Sequence, residues 1–334
     1  MKCLRIICLG IMVAFLFCYT ADAREDFPLK IAVEFTDHAA SAYIAQHKGW
    51  FEEEGIKPTF FSYVTGMSLA SALGRGDIQA AYICLLPAIN ARANAKVPIR
   101  IVAGTHKHGY GLAVNGDKIK TVKDLERPDV RIGAVQVGGP VDATLLKTIE
   151  KYGLDRNKIV GKVQRMNPPL QIIAIKAGKL DASFVPEHWP AMAEDAGFKM
   201  LLSSQDVWPG MQGSVLIVKE TMIQNNPEIV RKLVRITEKA TAWIKQHREE
   251  AASVMAAQLR VTGDKIFPIE AAQAAAKLDI TPALVRRSMD RLEYTTGIDP
   301  KAVQDAIDFS VRQGHVRTPL SAGDILDLRF LNEK

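Results

Sequence analysis

Apolar runs of strand length alternate with segments of helical periodicity along most of the chain. The pattern predicts, in order, strand 29–35, helix 39–51, strand 58–64, helix 68–75, strand 78–84, helix 87–95 and strand 99–104. It restarts with a helix at Val122 and continues as strand 130–137, helix 141–152, strand 160–166, helix 169–177 and strand 182–185. Such alternation is typical of an α/β fold whose mainly parallel sheets are covered by helices on both faces.

A short echo links the two series. Residues 76–82 (GDIQAAY) resemble residues 178–184 (GKLDASF), and each segment follows an apolar helix. The glycine would end that helix before a tight turn leads into a buried strand. Helix–glycine–strand junctions recur in many α/β proteins, but the offset of the echo is about one lobe and favours two similarly built lobes.

The last third of the chain is mainly helical. Asn226-Pro227-Glu228 is typical of a helix start, with a cap candidate and a proline at the first position. Apolar residues from Ile229 to Ile244 then follow helical spacing, and further helices are predicted at 249–258, 281–289 and 300–313. This pattern predicts a helical C-terminal region packed on the first lobe. The chain would then cross between lobes twice, near 110–115 and 213–218, so that 24–110 and 216–334 form lobe 1 and 111–215 forms lobe 2.

The first 23 residues predict a removable signal peptide. Lys2 and Arg5 precede the apolar run 6–19, and Ala21-Asp22-Ala23 supplies the small residues that a signal peptidase requires. We therefore expect cleavage after Ala23 and a periplasmic location. Three of the four cysteines lie within this segment, so Cys84 would be the single cysteine of the exported chain and no intrachain disulfide could form.

The formal net charge of +6 is spread along 334 residues without a basic block. A dispersed charge is typical of a solvated surface, and it argues against nucleic acid as a partner. No second apolar stretch approaches the length of a membrane span, so membrane contact is expected only through a partner.

Four segments carry a resemblance to a known family. They are 45–56 (AQHKGWFEEEGI), 76–78 (GDI), 119–125 (IKTVKDL) and 226–231 (NPEIVR). In this order they resemble segments of the nitrate/sulfonate/taurine and thiamine-precursor binding proteins of ABC importers. The resemblance covers about residues 28–255. It implies a type II periplasmic-binding fold, with two three-layer α/β lobes, a two-crossing hinge and a small solute enclosed between the lobes. It also implies a monomer without cofactor that works with an ABC permease and ATPase.

The sequence departs from this family pattern at two loops. Gly138-Gly139-Pro140-Val141-Asp142 stands where many relatives have Lys-Gly-Ser, and Pro186-Glu187-His188-Trp189-Pro190 stands where many sulfonate binders have Trp-Asp-Pro. Both departures weaken a sulfonate assignment and leave the expected fold unchanged.

Candidate ligand-binding residues follow from the fold, because ligands of open α/β sheets bind outside the carboxyl ends of the strands. The strand-end loops, with the segment before the second crossing, supply Asp37, His38, Thr65, Gly66, Cys84, Leu85, His106, His108, Gly138, Gly139, Val141, Glu187, His188 and Gln212. The glycines between a strand and a helix would let an anion approach helix N–H groups, although a tight turn also requires glycine.

The clustered histidines have three interpretations. They could donate hydrogen bonds to a polar ligand, bind a metal with Cys84, Asp37 or Glu187, or be structural. No histidine pair at helical spacing supports a metal, and none is assigned. If two of Asp37, Asp142 and Glu187 face the cleft, a taurine-like, amino-acid-like or pyrimidine ligand would suit it better than nitrate. Trp189 and Trp208 are the candidates for stacking on a ligand.

We therefore expect an extracytoplasmic solute-binding protein of an ABC importer that binds a small polar or anionic solute such as a sulfonate, taurine or nitrate. A pyrimidine or thiamine-precursor binding protein, or a subunit that presents ligand to a sensor, remains an alternative on the same fold. An enzyme would need a nucleophile such as Cys84 beside a histidine, but the chain has no Gly-x-Ser-x-Gly elbow or cofactor-lysine motif.

Overall fold

The computed structural model describes residues 26–266, 279–318 and 320–331, and the predicted signal peptide lies outside these residues. The strands are β1 (Phe27–Glu34), β2 (Ile56–Tyr63), β3 (Ala80–Cys84), β4 (Ile99–Gly104), β5 (His106–His108), β6 (Tyr110–Val114), β7 (Ile132–Ala134), β8 (Val163–Arg165), β9 (Ala182–Pro186), β10 (Lys199–Ser203), β11 (Ser214–Lys219) and β12 (Leu292–Tyr294).

The helices of the first half are α1 (Ala40–His47), α2 (Trp50–Glu53), α3 (Gly66–Gly74), α4 (Leu85–Ala93), α5 (Pro140–Tyr152), α6 (Arg156–Val160) and α7 (Pro168–Lys176). They are followed by α8 (Trp189–Asp195), α9 (Ser204–Val207), α10 (Glu220–Asn225), α11 (Pro227–Gln246), α12 (Arg248–Ile266), α13 (Pro282–Met289) and α14 (Pro300–Arg312). Short 3₁₀ turns occur at Asp37–Ala39, Val122–Glu126, Ala322–Asp324 and Leu328–Phe330.

Two five-stranded sheets share one topology. The first has the order β2-β1-β3-β11-β4 and the second the order β8-β7-β9-β6-β10. In each sheet three neighbouring strands are parallel, and the fourth strand, β11 or β6, is antiparallel to both of its neighbours. The predicted α/β class is therefore confirmed.

The sequence echo occupies equivalent places in the two sheets. Residues 76–82 lead into β3 and residues 178–184 lead into β9, and each of these strands is third in its sheet. Gly76 and Gly178 have φ angles of 99° and 63°. Residues with a side chain rarely adopt this left-handed conformation, which explains the glycine in both copies.

Each sheet lies between two layers of helices. In β1, Ile31 and Val33 belong to the core shared with α1 and α11, whereas Ala32 points to the core shared with α3 and α4. In β9, Val185 and Phe184 divide in the same way between the α7–α8 side and the α5 side. Alternate residues of these strands are thus buried on both faces, as expected for parallel strands in an α/β protein.

The two predicted crossing segments are strands in the structure. Residues 110–114 form β6 of the second sheet, and residues 214–219 form β11 of the first. The chain therefore leaves the first sheet after Gly104 and returns to it after Ser203. The lobe boundaries given above remain a prediction.

Several elements differ from the sequence prediction in length or type. Gly49, with φ of 72°, divides the predicted helix 39–51 into α1 and α2, and the helix at Val122 is a 3₁₀ turn. The strands β5, β10 and β12 were not predicted, because their pairing partners are distant in sequence. The Asn226 side chain makes no capping hydrogen bond, although α11 does begin at Pro227.

The C-terminal helices contact the helical layers of both sheets. Helix α11 buries one face against α1, as predicted, and Trp243 on it packs against Trp50. Helix α13 packs against α8 of the second layer, where Arg287 contacts Asp195. The C-terminal region therefore also bridges to the second sheet. Among the described residues, no helix combines the length and the hydropathy needed to cross a bilayer.

Replacing Leu233 with alanine tests the α11 interface. Leu233 is 0% exposed within the core, so its loss should lower the free energy of unfolding by about 2–5 kcal/mol. The matched variant Leu170→Ala removes a side chain from a residue that is 46% exposed and should change it by less than about 1 kcal/mol. Urea unfolding measures both, and equal losses would contradict this packing.

Candidate functional site

A central pocket of about 400 Å³ lies where the strand ends of both sheets converge. Three lining residues follow or end strands of the first sheet, namely Thr36, Thr65 and Cys84. Three others stand at the equivalent strand ends of the second sheet, namely Gly139, Pro168 and Pro186. The remaining lining residues are Glu34, Val64, Gly66, Met67, Tyr110, Val135, Gln136, Pro140 and Val141. This figure includes space open to solvent, so it sets an upper limit on the volume available to an enclosed solute.

The two sides of the pocket differ in chemistry. The first-sheet side carries a carboxyl group, two threonine hydroxyls and a thiol, from Glu34, Thr36, Thr65 and Cys84. The second-sheet side is formed mainly by glycine, proline and valine, with Gln136 and Tyr110 as its polar side chains. None of the described lining residues is a lysine, an arginine or a histidine. The pocket is therefore polar on one side and largely apolar on the other.

Helix α3 begins at the pocket with a capping box. The Ser68 N–H donates to Thr65 Oγ1 at 3.2 Å, and the Thr65 N–H donates to Ser68 Oγ at 3.3 Å. Gly66 follows the cap directly, and a Cβ atom there would lie 2.5 Å from Glu34 Oε1 and 2.8 Å from Pro87 Cγ. Glycine is thus required because the Glu34 carboxyl packs against the first turn of α3.

Glu34 is bound by Cys84 through two hydrogen bonds. The Cys84 N–H donates to Oε1 at 2.6 Å, and the Cys84 thiol donates to Oε2 at 3.0 Å. Both residues are buried. Burial raises the pKa of Glu34 to about 7. Burial, and then the neighbouring Glu34, raise the pKa of Cys84 well above its usual value.

The sulfur of Cys84 also accepts hydrogen bonds. The Tyr110 hydroxyl donates to Sγ at 3.0 Å, and the Ser214 hydroxyl donates to it at 3.6 Å. His38 Nδ1 lies 3.9 Å from the same sulfur. Burial lowers the pKa of His38 to about 3, so this imidazole is neutral. Cys84 is therefore the centre of a buried polar cluster at the first-sheet side of the pocket.

The fourteen sequence candidates divide into three groups. Five of them line the central pocket, namely Thr65, Gly66, Cys84, Gly139 and Val141. Gly138 lines a neighbouring open cavity beside His315. The others are buried outside the lining of the central pocket, namely Asp37, His38, Leu85, His106, His108, Glu187, His188 and Gln212. Contact of any of these residues with a ligand remains a prediction.

Asp37 and Glu187 face the C-terminal region. Ser288 donates to the Asp37 carboxylate, and Arg291 Nη1 lies 3.4 Å from Glu187 Oε1. Burial raises the pKa of Asp37 to about 7 and that of Glu187 to about 8. Asp142, the third acid considered, pairs with Arg165 at 2.7 Å. Glu34 is therefore the acidic side chain of the pocket lining, and these three acids lie elsewhere.

His106, His188, Trp189 and Trp208 lie outside the lining of the central pocket and contact other parts of the protein. His106 accepts from the Ser214 N–H at 3.2 Å, and Gln212 Nε2 donates to the His106 carbonyl at 2.9 Å. His188 stacks near Trp189 in the core, with ring centroids 4.5 Å apart. Trp208 packs against Phe309, so neither tryptophan lines the pocket.

Sequence reasoning missed Glu34, Thr36 and Tyr110 in the pocket lining. Glu34 directly follows the apolar run Ile31-Ala32-Val33 of β1, and an acid in that position was an available signal for a buried functional group. Tyr110 begins β6 and pairs with Pro186 of β9, which lies 76 positions later in the chain. No local pattern indicates that contact.

Replacing Glu187 with glutamine should flatten a pH dependence of stability. The pKa of Glu187 is about 8 in the folded chain against an ordinary 4.5, so the folded state holds a proton that the unfolded state releases. Its stabilisation is complete below the ordinary pKa and is lost as the pH rises through the folded one. Glu187→Gln should therefore lose less free energy of unfolding than wild type between about pH 5 and about pH 8.

Urea unfolding at the two pH values measures the difference. Arg291 keeps Glu194 as a partner at 2.6 Å in this variant, so the substitution leaves no unpaired guanidinium. Parallel stability curves for the two proteins would show that Glu187 ionises alike in the folded and unfolded states.

Solved structures of similar fold include three binding proteins. The ligand-binding component of an ABC-type import system from Staphylococcus aureus, with zinc bound, is 16% identical, with a TM-score of 0.74 over 92% of this chain and 99% of that one. The alkanesulfonate-binding protein of Xanthomonas axonopodis bound to MOPS is 19% identical, with a TM-score of 0.72 over 91% and 99%. The periplasmic nitrate-binding protein of Synechocystis is 14% identical, with a TM-score of 0.71 over 92% and 88%.

These likenesses establish the fold, which is that of periplasmic binding proteins, and they confirm the fold class expected from the sequence. The family assignment comes from a sequence profile that matches residues 22–260, which is more than half of the chain. The chain therefore belongs to the NMT1-like family.

Proposed function

We propose that the chain is the extracytoplasmic solute-binding protein of an ABC importer. The observation that carries this proposal is the central pocket, which is built from equivalent strand ends of two sheets with the same topology. Ligands of open α/β sheets bind at such strand ends. The similar structures named for ligand binding in ABC import, alkanesulfonate binding and nitrate binding add support.

The proposal includes the location and the partners of the protein. Residues 1–23 direct export to the periplasm and are removed after Ala23. The lobes 24–110 with 216–334, and 111–215, close around the solute by bending at the two crossings. The closed monomer then presents a new surface to the permease, whose ATPase drives import.

The pocket lining indicates the chemistry of the solute. The Glu34 carboxyl lies against the first turn of α3, where a compact oxyanion would otherwise bind. The second-sheet side offers mainly proline, glycine and valine. A solute with a hydrogen-bond donor at one end and an apolar body at the other matches both sides. An aminopyrimidine therefore fits better than nitrate, whereas the amine of taurine matches the first-sheet side and its sulfonate does not match the apolar side.

The proposed role is binding without catalysis. A cysteine nucleophile reacts as the thiolate, whereas the Cys84 thiol keeps its proton, donates a hydrogen bond to Glu34 and has a pKa raised by burial. His38 Nδ1 lies 3.9 Å from the sulfur, but burial lowers the pKa of His38 to about 3, which makes this imidazole a weak general base. These contacts support a receptor over an enzyme on the same fold.

Calorimetry of the exported protein tests the solute class. The panel comprises taurine, an alkanesulfonate without an amine, hydroxymethyl-aminopyrimidine, amino acids, bicarbonate and nitrate. A donor-bearing solute should bind one to one and at least about tenfold more tightly than nitrate, a difference of about 1.4 kcal/mol. Equal or tighter binding of nitrate or bicarbonate would contradict the chemistry proposed for the pocket.

The importer role is separated from a sensor role by reconstitution. The permease and ATPase encoded with this protein, placed in vesicles, should hydrolyse ATP faster when the liganded protein is added. If the liganded protein instead leaves the ATPase unchanged, the alternative of a ligand-presenting sensor subunit is favoured.

Replacing Gly139 with aspartate should abolish solute binding and keep the fold. Gly139 lines the pocket, and the nearest atoms to a Cβ there, Gln136 O and Met67 Cγ, are 3.5 Å and 3.8 Å away. The backbone thus accepts a side chain, which would occupy the second-sheet side of the pocket with a charge. The affinity for the best solute of the panel should fall by about 100-fold or more, equivalent to about 2.7 kcal/mol.

Gly74→Asp is the matched control. Gly74 is exposed at the end of α3, and nothing lies within 4 Å of a Cβ placed there. This variant should bind solute as wild type does. Wild-type affinity in Gly139→Asp would show that the solute does not occupy the central pocket.

A further inference from the structure

We propose that Glu34, His38 and Cys84 form a binding site for a divalent transition-metal ion of the zinc type at the first-sheet side of the pocket. One ligand atom of each residue lies within 4.8 Å of the other two. The three groups come from two segments, since Glu34 ends β1 and His38 lies in the 3₁₀ turn after it, whereas Cys84 ends β3. The site therefore belongs to the fold and not to a single loop.

The spacing of the ligand atoms suits tetrahedral coordination. Glu34 Oε2 and His38 Nδ1 lie 3.0 Å and 3.9 Å from Cys84 Sγ. Around a tetrahedral zinc ion, ligand atoms of these types are separated by about 3.3–3.6 Å, given the usual zinc–ligand bond lengths. Shifts of about half an ångström would bring both distances to the sulfur into this range, and the third pair, Glu34 and His38, lies within 4.8 Å.

The orientation of His38 prepares it as a ligand. Its Nε2 lies 2.9 Å from the Gly109 carbonyl, which can only accept, so Nε2 carries the proton. Nδ1 is then the nitrogen with a free lone pair, and it faces the sulfur. Metal-binding histidines commonly donate their second nitrogen to a backbone carbonyl in this way. Gly109 permits the approach, since a Cβ there would lie 2.7 Å from Nε2.

The surroundings of the sulfur also suit a thiolate ligand. The Tyr110 and Ser214 hydroxyls both donate to Sγ, at 3.0 Å and 3.6 Å. Donors of this kind stabilise the negative charge that a metal-bound sulfur carries. These hydroxyls would contact the sulfur and not the metal. Tyr110→Phe should therefore lower the affinity for the metal by about tenfold without abolishing the site.

The charges of the proposed site balance in a buried environment. Glu34, His38 and Cys84 are 4%, 0% and 2% exposed. A carboxylate and a thiolate together neutralise a divalent cation, and the histidine remains neutral. A charge-neutral complex avoids the large cost of burying an unpaired charge. The thiol proton leaves to solvent through the pocket when the metal binds.

The fourth coordination position would face the pocket, because Glu34 and Cys84 both line it. A nitrogen or oxygen donor of the solute would fit that position, as substrates do at open zinc sites. Only this last step rests on the proposed transport role. The metal site itself stands on the geometry of the three side chains.

Cobalt(II) titration of the exported protein tests the site. One equivalent should give a thiolate-to-metal charge-transfer band and intense visible bands of a tetrahedral complex, and zinc should displace both. Cys84→Ser should lose the charge-transfer band. His38→Gln and Glu34→Gln should each weaken binding by about 100-fold or more. His315→Gln, which removes a histidine lining the neighbouring cavity, is the control and should bind as wild type does.

X-ray absorption spectroscopy of the zinc-loaded wild-type protein provides a test that does not depend on the folding of any variant. It should show one sulfur at about 2.3 Å and nitrogen or oxygen ligands at about 2.0–2.1 Å. A protein that retains no zinc or cobalt, or a metal with only nitrogen and oxygen neighbours, would overturn the proposal.

Calorimetry of the solute with metal-free and zinc-loaded protein separates the proposed metal site from the proposed transport role. Equal affinities would show that the solute does not bind to the metal, and the proposed transport role would be unaffected.

Discussion

The exchange of one strand between the two halves of the chain is the constraint on which the pocket depends. β6 follows the strands of the first sheet in sequence but pairs with β9 and β10, and β11 follows the second-sheet strands but pairs with β3 and β4. Each of these two strands is hydrogen-bonded to a neighbouring strand on both edges. Neither crossing segment can therefore move along its sheet without breaking those hydrogen bonds. The two short connections hold the sheets with their strand ends facing one gap, and six equivalent loops meet there.

The polar side of the pocket is a single connected cluster. Glu34 accepts from Cys84, the sulfur accepts from Tyr110 and Ser214, and His38 donates to the Gly109 carbonyl. Buried polar groups are costly when unpaired and rigid when paired, so this cluster fixes the end of β1 against the end of β3. A second buried group, with Asp37, Glu187 and Arg291, joins the second-sheet layer to the C-terminal helices. The structure thus has one buried polar cluster at the pocket and a second between the second-sheet layer and the C-terminal helices.

The fold was largely predictable from local patterns, whereas half of the site was not. Alternating runs and the glycines at 76 and 178 predict both series of elements because these signals depend on neighbouring residues. The pairing of β6, β10 and β12 depends on distant partners, and no periodicity indicates it. Among the candidate site residues, those in glycine-containing loops at the strand ends, such as Thr65, Gly66 and Gly139, line the pocket. The histidines do not line it, because a loop histidine turns into the core as easily as into the cleft, and only packing decides between them.

The two pocket glycines differ in how much change they tolerate. A side chain at Gly66 would meet the Glu34 carboxyl at 2.5 Å, whereas the nearest atom to a Cβ at Gly139 is 3.5 Å away. The first-sheet side is therefore fixed by its own hydrogen bonds, and the second-sheet side can accept new side chains one at a time. Divergence among receptors of this architecture would then proceed through the second sheet, which adjusts shape and charge around the solute, while the first sheet retains the anchoring chemistry. Solute preference in this fold is in that sense evolvable from one half of the molecule.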